Sequence, residues 1–151
     1  AKVIVTSGSD EKLERARAFG AVAGFNYRTS EWAEDILRWC GGVGPDVAVD
    51  SVGGETFAKL LEIVKPGGRI VNFGATTGPA DRIEVRRIFW KQLTILGSTM
   101  GTGEEFAAAL KLFEQKRLVP VVDSVYDLRD AGEAHRRMEQ GGQFGKIVLR
   151  I

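Results

Sequence analysis

At residues 65–78 the chain reads Lys65-Pro66-Gly67-Gly68-Arg69-Ile70-Val71-Asn72-Phe73-Gly74-Ala75-Thr76-Thr77-Gly78. A Pro-Gly-Gly turn leads into a short apolar strand, and the strand ends at once in a loop of small residues. A similar run lies upstream, Asp46-Val47-Ala48-Val49-Asp50-Ser51-Val52-Gly53-Gly54, and one helical pattern separates the two. This order predicts two parallel strands. Because ligands in open α/β sheets bind outside the carboxyl ends of the strands, the two glycine-bearing loops are the first candidates for a binding crevice.

Length and composition predict one ordinary domain. The 151 residues carry 21 Lys and Arg against 20 Asp and Glu, and the net charge of +1 argues against a dedicated nucleic-acid or membrane-surface protein. The single cysteine, Cys40, excludes an intramolecular disulfide and favours a reducing, cytoplasmic compartment. No apolar run approaches the length of a membrane span.

Strand patterns alternate with helical patterns along the whole chain. Strands are expected near residues 2–6, 21–27, 46–52, 69–73, 93–100, 121–126 and 146–150, with helices between them. This alternation predicts an α/β fold with a doubly wound parallel sheet. No Pro-, Ser- or Gly-rich linker divides the chain, so residues from about 120 to 151 are expected to extend the same domain.

The residues offer little for catalysis. His135 is the only histidine and lies in an ordinary amphipathic helix pattern, and one Cys with one His cannot supply the usual ligands of zinc. Asp50, at the end of a predicted strand, is better suited to ordering a loop or contacting a ribose than to forming half of a catalytic pair. Catalytic residues stay unassigned, and the pattern is that of a binding domain whose chemistry lies elsewhere.

The first strand and helix meet at Val5-Thr6-Ser7-Gly8-Ser9-Asp10-Glu11-Lys12. A strand that meets the adenosine ribose of NAD ends in an acid, whereas a 2′-phosphate requires that acid to be absent. Here the position is Ser7 or Gly8. Two like charges about 4 Å apart repel by about 4 kcal/mol at an effective dielectric constant near 20, and a hydrogen bond from Lys12 adds about 1.5 to 3 kcal/mol at most.

This comparison favours NADP(H) over NAD(H), although Lys12 is equally compatible with a plain surface position on a helix. The glycine-rich fingerprint G-x-G-x-x-G of dinucleotide-binding domains is absent from the sequence. The residues taken alone therefore suggest a dinucleotide without establishing it.

Several stretches in order along the whole chain resemble medium-chain dehydrogenases/reductases, most closely the zinc-type alcohol dehydrogenase and quinone oxidoreductase branches. The stretches that carry the resemblance are residues 2–13, Asn26-Tyr27-Arg28, Val49-Asp50-Ser51-Val52-Gly53-Gly54, Lys65-Pro66-Gly67-Gly68-Arg69-Ile70-Val71, Leu96-Gly97-Ser98-Thr99-Met100 and Phe144-Gly145-Lys146-Ile147-Val148-Leu149.

The resemblance implies a cofactor site in two parts. Gly8, Lys12 and Tyr27, with Ser7 beside them, would surround the adenosine 2′-phosphate of NADP(H). Two strand-end loops would lie near the nicotinamide half, through Ser51, Val52, Gly53, Phe73, Gly74, Ala75 and Thr76. Gly141 stands where some relatives have a basic contact.

The resemblance further implies that the chain is the later part of such an enzyme, a Rossmann-type domain lacking its first strand and Gly-rich loop. The N-terminal catalytic domain of the family, with the substrate pocket and any zinc ligands, has no counterpart here, so this chain alone is expected to be inactive. In relatives the extension after about residue 120 packs back toward that domain. Zinc would enter only through the N-terminal domain.

The missing first strand has a physical cost, because a buried, unpaired backbone group costs about 1 to 3 kcal/mol. We therefore expect residues outside this sequence, or a strand from elsewhere such as Lys146–Arg150, to occupy its place.

At the other side of the sheet, Leu93–Met100 is expected to be an apolar edge strand. In relatives the matching strand pairs with its two-fold mate, so a homodimer is predicted.

The function favoured is hydride transfer to or from an alcohol, aldehyde or quinone-like substrate, with NADP(H) as cofactor. Two alternatives remain open at this point. A methyltransferase that uses S-adenosylmethionine also has an Asp-bearing strand followed by a helix and a Pro-Gly-Gly strand, although the tail of this chain follows the dehydrogenase pattern. A non-catalytic nucleotide-binding or dimerisation module is the other.

Overall fold

A computed structural model of the chain describes residues 1–29 and 31–151, so Ser30, predicted to lie in the turn before the second helix, is outside the described residues. Strands and helices alternate as the sequence predicts. The elements are β1 (Ile4–Ser7), α1 (Asp10–Ala18), β2 (Ala23–Asn26), α2 (Trp32–Trp39), β3 (Val47–Asp50), α3 (Gly54–Ile63), β4 (Arg69–Asn72), α4 (Arg86–Trp90), β5 (Thr94–Gly97), α5 (Gly103–Lys116), β6 (Val122–Asp127), α6 (Ala131–Glu139) and β7 (Lys146–Arg150), with a 3₁₀ turn at Leu128–Asp130.

The turn between α3 and β4 explains why the chain needs Pro-Gly-Gly at this point. Gly67 has a φ of +71°, a backbone conformation that residues with a side chain rarely adopt. A methyl group at Gly68 would lie 2.5 Å from Val64 Cγ1 and 2.8 Å from the Lys65 carbonyl oxygen, and the Gly68 N–H donates to that carbonyl. The turn is thus closed by two glycines, and it delivers β4 directly beside β3.

All strand pairs are parallel, in the orders β1-β2, β3-β4-β5 and β6-β7. In the central sheet Asp50 is in register with Asn72, and Asn72 with Gly97, so the three strands end at one level. The strand expected over residues 93–100 is shorter, at Thr94–Gly97, because its partner β4 ends at Asn72 and offers no further ladder beyond the bond from Ser98 N–H to Asn72.

The chain divides into two compact units, Ala1–Met100 and Gly101–Ile151. The assignment of the whole chain to one domain with an extension from about residue 120 stays a prediction. In the first unit, α2 packs through Trp32, Ala33 and Ile36 against Ile63 of α3 and against Ile4 and Phe25 of the first two strands.

A second cluster of Leu61, Val64, Ile70 and Leu93 lies under the central sheet. Leu60 of α3 packs against both clusters. Lys91 ends α4 and donates from Nζ to the carbonyls of Leu61 (3.2 Å) and Glu62 (2.7 Å), which satisfies the C-terminal end of α3, and burial lowers the pKa of this lysine.

In the second unit, β6 and β7 pair and α6 is tied to them by one carboxylate. Asp123 accepts two bonds from Arg137, at 2.6 Å from Nε and 3.0 Å from Nη2, and one from the Phe144 N–H at 2.9 Å. Helix α5 begins with a capping box in which Thr102 and Glu105 satisfy each other's backbone N–H groups.

The expectation that Lys146–Arg150 fills the place of a missing strand is wrong. This segment is β7, and its register is set by β6, from Val122 paired with Lys146 to Asp127 paired with Arg150. Within residues 1–29 and 31–151, β1 pairs only with β2, and β3 only with β4. Among the same residues, no helix has the length and apolar character needed to cross a membrane.

Candidate functional site

The turn after β1 is covered by the residues that follow β2. Because β1 and β2 are parallel and in register from Ile4 with Ala23 to Ser7 with Asn26, their carboxyl ends meet. A methyl group at Gly8 would lie 2.8 Å from Arg28 Nε, 3.1 Å from the Tyr27 hydroxyl oxygen and 3.2 Å from Tyr27 Cε2. Gly8 and Tyr27, which the family resemblance groups together, are therefore neighbours in the fold, and Arg28 joins them.

A small hydrogen-bond network holds this corner in place. Asn26 donates from Nδ2 to Asp10 Oδ1 (2.8 Å) and accepts the Arg28 N–H at Oδ1 (3.0 Å). The Tyr27 N–H donates to the Ser7 carbonyl (3.1 Å). The segment carrying Tyr27 and Arg28 is thus tied to the end of β1 by a backbone bond and, through Asn26, to the start of α1 by a side-chain bond.

Ser7 and Lys12 lie on either side of Gly8 along the chain. Ser7 Oγ accepts the Ser9 N–H (3.2 Å), and Ser9 Oγ accepts the Lys12 N–H (3.4 Å) as the N-cap of α1. Ser9 therefore caps the N-terminus of α1. Lys12 is in the first turn of α1, a half-buried position on the same corner.

The loop after β3 is ordered by Asp50, whose side chain is 3% exposed. Its carboxylate accepts the N–H groups of Val52 (3.0 Å) and Gly53 (3.2 Å) and the Asn72 side-chain amide (2.9 Å). Asn72 Nδ2 also donates to the Gly74 carbonyl at 2.9 Å. Of the two roles considered for Asp50, these contacts are those of loop ordering.

The loops after β3 and β4 interlock. The Thr76 N–H donates to the Ser51 carbonyl (3.3 Å) and the Gly54 N–H to the Gly78 carbonyl (3.0 Å). A methyl group at Gly53, where φ is +71°, would lie 2.8 Å from the Ala75 Cα. The seven residues expected near the nicotinamide half thus lie in two loops that touch, namely Ser51, Val52, Gly53, Phe73, Gly74, Ala75 and Thr76.

An open, largely apolar cleft of about 280 Å³ lies beside these loops. Gly53, Phe57, Ala75 and Leu96 are among its lining residues, so the start of α3 and the end of β5 contribute as well. The cleft lies at the carboxyl ends of parallel strands, where ligands of α/β sheets bind.

Sequence reasoning left out three residues that the fold brings to these corners. Arg28 covers Gly8, and the side-chain amide of Asn72 donates to the carboxylate of Asp50. Thr77 donates from Oγ1 to the Val52 carbonyl at 2.9 Å. A signal existed for Asn72, because a polar residue follows the apolar run in both strands of the pair, Asp50 in β3 and Asn72 in β4. For Thr77 no local signal exists, since its partner is 25 residues away.

No group of three or more His, Cys, Asp or Glu side chains in residues 1–29 and 31–151 could hold a metal ion. Cys40 packs half-buried against the α2 cluster, where burial raises the pKa of its thiol, and His135 is exposed on α6. His135 thus lies in a helix, as the sequence predicts.

Parallel strands with helices between them and glycine-rich strand-end loops define a Rossmann-type nucleotide-binding domain. The family model for zinc-binding dehydrogenases matches residues 1–115, and the chain belongs to that family.

Two curated relatives illustrate the family. The chain is 32% identical to the zinc-type alcohol dehydrogenase-like protein YogA of Leptosphaeria maculans, over 97% of this chain and 43% of that protein. It is 31% identical to the quinone oxidoreductase of Homo sapiens, over 99% of this chain and 47% of that protein. The chain thus spans less than half the length of these relatives, which are oxidoreductases.

Among solved structures, a crystal structure described as an NAD-dependent alcohol dehydrogenase superposes with a TM-score of 0.91 at 39% identity, over all of this chain and 44% of that one. The resemblance to medium-chain dehydrogenases/reductases and the Rossmann-type fold are confirmed. These relatives favour an oxidoreductase over the methyltransferase alternative.

Proposed function

We propose that this chain is the cofactor-binding part of an NADP(H)-preferring oxidoreductase that transfers hydride to or from an alcohol, aldehyde or quinone-like substrate. The observation that carries the proposal is the turn at Gly8, which has no carboxylate and is covered by Tyr27 and Arg28. A 2′-phosphate there gains a cation and a phenol and meets no like charge from Ser7 or Gly8. One solved relative is described as NAD-dependent, so the preference for NADP(H) rests on residues of this chain.

NADP(H), when bound, supplies the hydride or accepts it. The residues of this chain bind and orient the cofactor. Gly8, Lys12 and Tyr27 hold the adenosine end, while the loops ordered by Asp50 and Asn72 place backbone groups and the apolar cleft at the nicotinamide end. The substrate pocket, the catalytic residues and any zinc site belong to residues outside this sequence.

The lone Cys40 supports a cytoplasmic location as part of the same proposal. A non-catalytic nucleotide-binding module remains the competing function, since no catalytic residue is assigned in this chain. This alternative predicts that the protein binds the cofactor but turns over no substrate.

The proposal is tested by isothermal titration of the protein, expressed at its full natural length, with NADPH, NADH and S-adenosylmethionine. We expect NADPH to bind at least about tenfold more tightly than NADH, the change that one charge-assisted hydrogen bond of about 1.4 kcal/mol produces. S-adenosylmethionine is expected not to bind. Equal affinities for the two nicotinamide cofactors would contradict the NADP(H) preference.

The variant Gly8→Asp restores an acid at the end of β1 and is expected to reverse the preference. A carboxylate here lies beside the 2′-phosphate and also pairs with Arg28, so NADPH affinity falls by about tenfold or more, while NADH is retained. Gly103→Asp adds the same charge at an open position on α5 and should leave both affinities unchanged. A Gly8→Asp protein that still prefers NADPH would contradict the assignment of this corner to the 2′-phosphate.

A further inference from the structure

The geometry points to Arg28 as the residue that discriminates between NADPH and NADH, by donating its guanidinium N–H groups to the 2′-phosphate above Gly8. This inference rests on the proposed function and deepens it. It assigns the discrimination to a side chain at the end of β2, alongside the lysine on α1.

Arg28 Nε lies 2.8 Å from the position that a methyl group at Gly8 would take, closer than either atom of Tyr27 that borders this position. The space above Gly8 is the space that an acid would fill in an NAD-binding turn. The cation of Arg28 therefore stands in the volume where the two cofactors differ.

The backbone of Arg28 is held in place while its side chain is exposed. Asn26 Oδ1 accepts the Arg28 N–H at 3.0 Å, and Asn26 Nδ2 donates to Asp10 at 2.8 Å, so the residue is anchored to the start of α1. The exposed side chain can adjust by rotation about its own bonds when a phosphate enters. Asn26 acts here as a positioning residue.

The guanidinium of Arg28 is chemically suited to a phosphate group. A guanidinium presents a planar set of donors that matches phosphate oxygens in pairs, whereas an ammonium is a point charge. Asp10 and Glu11 open α1 and lower the positive potential at this corner. A second cation in addition to Lys12 offsets those two acids.

The experiment measures dissociation constants for NADPH and NADH by titration calorimetry, and for the adenosine fragments 2′,5′-ADP and 5′-AMP, in the protein at its full natural length. The fragments report on the adenosine end without any catalysis. The variants are Arg28→Met, Arg28→Lys and Lys12→Met. Arg17→Met is the matched control, because Arg17 is an exposed arginine near the other end of α1 that pairs with Glu14.

We expect Arg28→Met to weaken NADPH and 2′,5′-ADP by about tenfold, which corresponds to about 1.4 kcal/mol, and to leave NADH and 5′-AMP within twofold. Arg28→Lys should give a smaller loss because the charge remains and the paired donors do not. Arg17→Met should change none of the four constants by more than twofold.

The outcomes separate this inference from the function it rests on. If the unchanged protein prefers NADPH, and Lys12→Met removes the preference while Arg28→Met keeps it, the role of Arg28 is refuted and the proposed function stands. If Arg28→Met weakens all four ligands equally, Arg28 does not discriminate and the inference also fails. If the unchanged protein shows no preference, the proposed NADP(H) specificity fails and the inference falls with it.

Discussion

At the scale of single residues, buried polar side chains at the strand ends determine the shape of the candidate site. Asp50 accepts three hydrogen bonds and is almost fully buried, and each of its donors lies in a loop or at a strand end of the site. A buried carboxylate is tolerated because these donors replace the water it loses. Loop order and site geometry therefore depend on the same side chain.

Replacing Asp50 tests this dependence. Asp50→Ala leaves the N–H groups of Val52 and Gly53 and the amide of Asn72 without this acceptor, and we expect the free energy of unfolding to fall by about 2 to 3 kcal/mol. The fall would be measured by urea denaturation. Asp81→Ala, at an exposed position, should change it by less than about 0.5 kcal/mol. Equal stability of the two variants would show that Asp50 does not order the loops.

Glycine acts at the same scale by leaving space. Gly53 adopts a φ of +71°, and a Cβ added there would lie 2.8 Å from the Cα of Ala75. Because this neighbour is a backbone atom, it cannot move away by a side-chain rotation. Gly8 differs, because the nearest atoms belong to the ends of the Arg28 and Tyr27 side chains. A substitution at Gly8 therefore changes the chemistry of the site more than the stability of the fold.

At the scale of secondary structure elements, an ion pair joins helix α6 to strand β6. In the second unit Arg137 of α6 reaches Asp123 of β6 with two hydrogen bonds, and Phe144, before β7, supplies a third. The Arg137 guanidinium holds the pKa of Asp123 well below its usual range.

This pair predicts a pH dependence of stability. A carboxyl whose pKa is lowered by folding stabilises the protein at pH values above its unfolded pKa of about 3.9, and that contribution is lost as the pH falls toward its folded value. We expect the unchanged protein to be more stable than Asp123→Asn at pH 7, and the difference to shrink once the pH falls below about 3.9. Thermal unfolding of the two proteins between pH 2.5 and 7 measures the difference in stability at pH 7 and its decrease at low pH.

Asp130→Asn is the matched control, since Asp130 is exposed and contacts Arg129 only at 3.9 Å. Its stability should follow that of the unchanged protein across the range. A difference between Asp123→Asn and the unchanged protein that does not vary with pH would contradict the role of the ionised carboxylate.

At the scale of the whole molecule, unpaired strand edges remain. Among the residues that the structure describes, β1 and β3 each pair on one side only, and β5 is the outer strand of its sheet. We propose that a strand from residues outside this sequence lies between β1 and β3. An exposed apolar edge such as β5 promotes pairing with another chain.

We propose pairing of β5 with its two-fold mate in a homodimer and predict that charge on this strand disrupts it. Ile95 is 37% and Leu96 47% exposed. Leu96→Lys should convert the dimer to a monomer in light scattering, because like charges meet across the two-fold axis. Val22→Lys, an equivalent change at an exposed position outside β5, should leave the dimer intact. A monomeric unchanged protein would contradict the proposal.

Local patterns in the residue order were enough to predict the alternating elements, the Pro-Gly-Gly turn before β4 and the acid-free turn at Gly8. Each depends on neighbours along the chain, whose preferences act over one or two turns. The pairing of β7 with β6, the sharing of Asp50 by two loops and the placement of Arg28 over Gly8 became visible only in three dimensions. These features join residues about 20 or more positions apart, and many alternative long-range pairings satisfy the same local pattern, so only the packed fold selects among them.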